Sequence, residues 1–256
     1  MLTKLKRKIP RSVFLGLVRT RQAFLRFEDN GFPDPDKVIA STLAIGGPIT
    51  AERLLEGVRI GAVCMFPRWT LPKQRGILFP DRLSAPRRDW SRIRNRGGFR
   101  LTMDQAFEQV VLNCADRPIT HMTPALINAY QELGRKGHAH SVETWNQNNT
   151  LVGGLFGIGV GRVFRVISMF RRENDASKIA FFCLVRHLER WGYAFLDLEY
   201  GPAYMMKWGA SVIDRSEFAC LLEKYRDQTT PEATWVVDND LALLTPHRNG
   251  IAESVH

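Results

Sequence analysis

No stretch of this chain approaches the roughly 20 consecutive apolar residues that cross a bilayer. The longest apolar runs are short and broken by Gly, Arg or Asp, so no stable membrane span is expected. Cysteine is scarce. Cys64, Cys114, Cys183 and Cys220 are the only four, far apart and without metal-ligand spacing. Neither a disulfide scaffold nor a cysteine-held metal is expected, and a reducing, cytoplasmic setting is the plain reading. Repeats and low-complexity tracts are absent, and residues 1–26 contain no acid at all.

What is there instead is concentrated positive charge. The net charge is +10, with eight Lys or Arg in residues 1–26 and ten in residues 68–100, where Asp81 and Asp89 are the only acids. The remainder of the chain is net negative. Such a distribution marks a surface for a polyanion, nucleic acid before others. A solvated basic surface without a partner is the alternative.

The apolar content of 45% across 256 residues suits one large domain or two smaller ones. In the basic arm, residues 1–30, Val13, Leu17 and Phe24 fall on one helical face. A membrane-surface helix, an RNA-binding arm and a targeting peptide stay open there. Residues 31–76 suggest a small α/β unit: a turn at Gly46-Gly47-Pro48, then a helix from Ala51 capped by Thr50 and stopped by Gly57. Leu54 and Leu55 form its buried side. The Pro-containing MFPRWTLPKQRG suggests loop.

A second unit is expected over 77–256. It begins with a strand at ILF and a basic helix over 87–96 that buries Trp90 and Ile93. The strand FRLTM follows, and Asp104 is placed to cap a helix with Phe107, Val110, Val111 and Cys114 on one face. Thr123 caps the next helix, with Pro124 at its first position. Strands are expected at HAHSVETW and through the glycine-rich TLVGGLFGIGVGRVF and VISMFRR. Asn174 or Asp175 caps the helix after them, and Gly192 stops it. YAFLDLEY has strong strand composition, and SEFACLLEKY is the last clear helix before an irregular tail.

The strings GHAHSVETW, LVGGLFG, SMF and ASK, in order across 137–178, resemble the core of the leucyl/phenylalanyl-tRNA–protein transferases. LAIGG, RLL, ILFP, TPALINAY and FLDLE extend the likeness over roughly 31–225. The resemblance implies an α+β fold: a small N-terminal α/β domain plus a C-terminal GNAT acyltransferase-like domain. It implies transfer of Leu or Phe from charged tRNA to the N-terminal amine of a protein that begins with Arg or Lys. No cofactor and no metal are implied. The implied partners are aminoacyl-tRNA and an acceptor protein, peptide or small amine, with the chain acting as a monomer. Two alternatives are a different amine as acceptor and a non-catalytic tRNA-binding relative.

Ester aminolysis needs a neutral amine, positioning and a proton acceptor. Asp197 and Glu199 stand at i and i+2 of the expected strand, on one side. They match catalytic positions that hold Asp and Gln in the family, and a second acid there would raise the pKa of Asp197. Ile167 stands where the family has a Glu before SMF, on the acceptor side. The resemblance assigns Leu155, Phe156, Ser168, Met169, Phe170 and Ser177 to the aminoacyl pocket. It assigns Trp69, Arg75, Arg87, Arg88, Arg92 and His121 to tRNA. Arginines meet phosphates, and Trp69 offers a stacking face. His121 replaces a family Trp, and GAVCMFP is shorter than the matching family segment. GIGVG at 157–161 lies within a hairpin, which excludes a nucleotide loop. His138 and His140 lack further ligands at metal spacing.

Overall fold

The computed structural model describes residues 23–25, 31–35, 41–86, 89, 91, 98–118, 120–229 and 234–242. The basic helix expected over 87–96, with Arg87, Arg88 and Arg92, lies almost wholly outside the described residues, as do Val13 and Leu17. Phe24 belongs to strand β1 (Ala23–Leu25) and not to a helical face.

Two sheets form. The smaller has four strands in the order β1-β2-β4-β3, with β2 Thr42–Gly46, β3 Val63–Met65 and β4 Arg68–Thr70. Helix α1 (Ala51–Arg59) begins as expected: Thr50 Oγ1 accepts the Arg53 N–H at 3.2 Å, and Glu52 lies in the first turn. It runs past Gly57, because that glycine is needed for contact and not for termination. A Cβ at Gly57 would lie 2.8 Å from the Trp69 ring. The stretch expected as loop supplies β4, since Arg68 and Trp69 pair with both β2 and β3.

The larger sheet has seven strands in the order β11-β5-β10-β9-β8-β7-β6. Its members are β5 Gln74–Leu78, β6 Arg100–Met103, β7 Ala139–Trp145, β8 Leu151–Val160, β9 Val163–Arg171, β10 Phe195–Asp197 and β11 Ser211–Asp214. All neighbours are antiparallel except β9 and β10, which run parallel. A division at 76/77 falls inside β5. Helix α4 (Ala176–Arg190) covers one face of this sheet, packing Phe181, Leu184 and Leu188 with Leu155, Phe164 and Leu196. Helices α2 (Phe107–Ala115) and α3 (Pro124–Arg135) cover the opposite face with Phe156 and Ile158 and share that core with α1 and Trp69. Helix α5 (Arg215–Arg226) seals Ile77, Val163 and Phe195 with Phe218 and Leu222.

Thr123 caps α3 as expected, accepting the Leu126 N–H at 3.3 Å. Asp104 does not cap α2. It adopts φ +53° and accepts from the Ser141 N–H at 2.7 Å, two residues before the helix-capping position at Ala106. Asp175 occupies the cap position of α4 in the left-handed region, without a side-chain cap bond, and pairs with Lys178 at 3.0 Å. The strand expected over YAFLDLEY is only Phe195–Asp197. In the tail a helical turn forms at Asn239–Ala242. Among the described residues, no helix is long and apolar enough to cross a membrane.

Candidate active site

The site follows from where β10 stops. Asp197 lies opposite Arg165 of β9 and Ile77 of β5. The chain then turns at Glu199, whose φ of +55° ends the extended run. Beyond Arg165, residues 166–171 of β9 therefore have no strand neighbour on the β10 side among the described residues, where they pair with β8 alone. The turn is locked onto β5: Leu198 N–H donates to the Gly76 carbonyl, and Gly76 N–H donates to the Glu199 carbonyl, each at 2.9 Å. Only glycine fits at 76, because a Cβ there would meet the Gly201 Cα at 2.2 Å.

Asp197 is sealed, at 1% exposure. Its carboxylate accepts from Arg75 Nε and Nη2 and from Arg165 Nε, all at 2.6 Å, and from the Glu199 N–H at 2.9 Å. The two guanidiniums also donate to carbonyls just past the C-terminal end of α1. Arg75 Nη1 reaches the Gly61 carbonyl at 3.0 Å, and Arg165 Nη1 the Ala62 carbonyl at 2.5 Å. Arg75 lies 4.5 Å from the Phe218 ring centre on α5. The knot thus ties α1, β5, β9, β10 and α5 together. Burial alone would raise the Asp197 pKa, but Arg75 and then Arg165 outweigh it and hold this carboxyl well below the usual range.

Glu199 is the reverse case. It is half-buried, and burial pushes its carboxyl up to about 7 against the pull of Arg165 and Arg75. The expected order of the two acids is thus inverted. The left-handed turn also removes Glu199 from the strand face that carries Asp197.

Three cavities run along the open edge of β9. The first, about 230 Å³, is lined by Arg117, Ile167, Ser168, Met169, Glu199 and Tyr204, among others. The second, about 190 Å³, shares Arg117, Ile167, Ser168 and Glu199 and adds His121, Cys64 and Cys114. The third, about 550 Å³, shares Met169 and Tyr204 with the first and adds Phe170, Arg171, Ser177, Lys178, Lys207 and Trp208. Between Gly157↔Val166 and Phe156↔Ser168 the register of β8 and β9 slips, leaving Ile167 as the extra residue of a β-bulge. Bulges re-aim side chains beside binding sites, and Ile167 lines the two cavities that contain Glu199. Burial pushes the thiols of Cys64 and Cys114 up to about 12, so neither is a thiolate nucleophile at neutral pH.

With this geometry in hand, the sequence pattern of the leucyl/phenylalanyl-tRNA protein transferases matches residues 77–223. The transferase of that name from Pseudomonas syringae pv. syringae is 37% identical over 216 residues, covering 80% of this chain and 93% of its own. That of Solidesulfovibrio magneticus is 35% identical over 237 residues, covering 87% and 94%. The chain belongs to the leucyl/phenylalanyl-tRNA–protein transferase family. Among solved structures, L-PGS from Bacillus licheniformis overlaps 49% of this chain and 44% of its own, at TM-score 0.37 and 13% identity, too weak a likeness to bear on the fold.

Of the site residues expected from the sequence, the structure gathers Glu199, Ser168, Met169 and His121 around the first two cavities, and Phe170 and Ser177 around the third. Leu155 and Phe156 lie fully buried on opposite sheet faces and line none of the three. Arg75 faces Asp197 and not a phosphate. Trp69 is 1% exposed, edge-on to Phe32 at 4.7 Å and 5.4 Å from the Arg53 guanidinium, so its ring offers no face for a base to stack on. Sequence reading missed Arg165 and Arg117. Arg165 had a signal, a cation within the apolar run Val163–Ile167. Arg117 follows α2 in a polar stretch with nothing to single it out.

Proposed function

We propose that the protein moves an amino acid from charged tRNA to the N-terminal amine of a protein or peptide, in the cytoplasm. Family membership supports this reading, and the observation that carries its chemistry is Glu199, a carboxyl near 7 at the wall of two adjoining cavities. In solution the acceptor's ammonium first sheds a proton, its pKa being about 7.7–8.0. The neutral amine then attacks the ester carbonyl of the aminoacyl group. As the new C–N bond forms, Glu199 takes the second amine proton. The C–O bond to the ribose breaks, and the ribose oxygen receives that proton. A proton acceptor with a pKa near the working pH suits this role.

Asp197 is a positioning residue in this reading: it holds the Glu199 backbone through the N–H bond and keeps Arg75 and Arg165 compensated. The unit built on the seven-stranded sheet, from β5 onward, acts as a GNAT-like acyltransferase, with the smaller sheet and α1 packed against it and the basic arm in residues 1–30. The third cavity takes the tRNA end, with Arg171 and Lys207 for phosphate and the exposed Tyr204 ring for the terminal base, whereas Lys178 is already paired with Asp89 and Asp175. The chain acts as a monomer.

The direct test supplies radiolabelled Leu-tRNA or Phe-tRNA and a set of peptides, and reads label on peptide by mass and chromatography. Label on at least one peptide is expected, with charged-tRNA affinity falling steeply as salt rises. Binding of charged tRNA with no label on any amine would leave only a non-catalytic relative.

A further inference from the structure

We propose a second activity of the same site: with no acceptor amine bound, Glu199 activates a water molecule that cleaves the aminoacyl ester, releasing free amino acid and uncharged tRNA. This rests on the donor half of the transfer reaction proposed above and adds water as an alternative nucleophile.

The backbone of Glu199 is fixed while its carboxylate is open. Its N–H donates to Asp197 and its carbonyl accepts from Gly76, each at 2.9 Å. Among the described residues no group donates a hydrogen bond to the side chain, which lines the first two cavities. At about 230 and 190 Å³, each has room for several waters, at roughly 30 Å³ apiece. The second is polar enough to hold them, because Arg117, Thr120, His121 and Ser168 line it beside Glu199. A carboxylate with open lone pairs on such a space takes its hydrogen bonds from water or from an incoming amine.

The order of the cavities suits this step. The third, which takes the tRNA end, shares Met169 and Tyr204 with the first, and the first shares Arg117, Ile167, Ser168 and Glu199 with the second. The third and the second have no described residue in common. An ester reaching in from the third cavity therefore stands in the first, and a nucleophile arrives from the second, with Glu199 on the wall of both. An acceptor amine there displaces water. Without the amine, water is the nucleophile beside the base.

The two nucleophiles differ in what they need. An α-amine with a pKa of about 7.7–8.0 is partly neutral at physiological pH and attacks in that form. Water, with a pKa of about 15.7, depends on a base to take its proton as the new bond forms, a gain of roughly 10²–10⁴-fold. Glu199 takes one proton as the water oxygen bonds to the ester carbonyl carbon. The C–O bond to the ribose then breaks, the ribose oxygen receives that proton, and the new carboxyl of the amino acid ionises to solvent. The Cys64 and Cys114 thiols, pushed up to about 12, keep their protons and offer no base. His121 is the competing base, but it lines the second cavity and not the first, where the ester stands.

The test mixes tRNA charged with a radiolabelled amino acid with excess protein and no acceptor, in water enriched in heavy oxygen, and follows free amino acid over time. Release roughly 10-fold or more above the rate in buffer is expected, with heavy oxygen in the amino acid carboxyl. Added acceptor peptide is expected to divert label to itself and suppress release. Glu199→Gln, shown to bind charged tRNA, is expected to release amino acid at the buffer rate. Wild-type release no faster than buffer, with transfer to peptide present, overturns the proposal and leaves the transfer reaction intact. Release that survives in Glu199→Gln, whether or not His121→Gln removes it, takes the base away from Glu199 and also overturns it. So does release that peptide fails to suppress, because the water then stands outside the acceptor's position. Should Glu199→Gln fail to fold, the wild-type rate and its suppression by peptide still decide. Neither release nor transfer, with charged tRNA bound, sinks the reaction itself and this activity with it.

Discussion

Asp197 and Glu199 are two residues apart and live in different electrostatic worlds. Asp197 is sealed among two guanidiniums and a backbone N–H, and its proton is gone at any physiological pH. Glu199 lies at the wall of two cavities, where burial outweighs the same two arginines and leaves its carboxyl near 7. The difference is one of distance and bonds. Asp197 accepts charge-assisted hydrogen bonds directly, whereas Glu199 receives only the more remote field. One acid is therefore fit to hold structure, and the other to exchange a proton.

The largest expected effect breaks the sealed side. Asp197→Ala leaves two buried guanidiniums uncompensated and is expected to cost about 3–5 kcal/mol of stability, read by chemical denaturation. Loss of transfer with unchanged stability would instead give Asp197 a direct part in the chemistry. The pH dependence has a definite sign. The pKa of Asp197 is lower folded than unfolded, so its stabilisation is present above the unfolded value and is lost as pH falls towards the folded one. Glu199 contributes oppositely: its stabilisation is present in acid and lost as pH rises through about 7.

The next effect sharpens the open side. Single-turnover transfer at saturating substrates is expected to rise with pH up to about 7, as Glu199 loses its proton, and then level off. Glu199→Gln, which installs the residue the family holds at this position, should erase that step, because an amide does not titrate there. A step that survives in Glu199→Gln would assign the titration to another group. The smallest effect concerns the wall between the cavities. Ile167→Glu places an acid beside Arg117 and is expected to shift the Lys/Asp acceptor ratio towards Lys about 10-fold, a change of roughly 1.4 kcal/mol. An unmoved ratio would mean that the acceptor side chain does not pass the bulge.

Much of the fold was legible locally. Thr50 and Thr123 announce helix starts because a cap is a contact within four residues. The pattern of α2 and α3 announces their buried faces, because helical periodicity is local too. Asp104 misleads for the same reason: its side chain accepts from Ser141, 37 residues away, a bond that no local pattern registers. Gly57 looks like a stop until Trp69 is found against it. The strand β4 hides in a proline-containing stretch, because its pairing with β2 and β3 outweighs weak local preference.

By itself, the sequence determined the family, the helix starts at Thr50 and Thr123, the positive charge and the two acids. Those depend on residue identity and short spacing. Only the tertiary structure decided what the acids do. Strand order sets Arg165 beside Asp197, and the knot brings Arg75 from 122 positions away. The early end of β10 opens the β9 edge, and the slip at Ile167 turns that residue into the cavity wall. Burial and long-range charge pairing fix each pKa, and neither exists until the chain has folded.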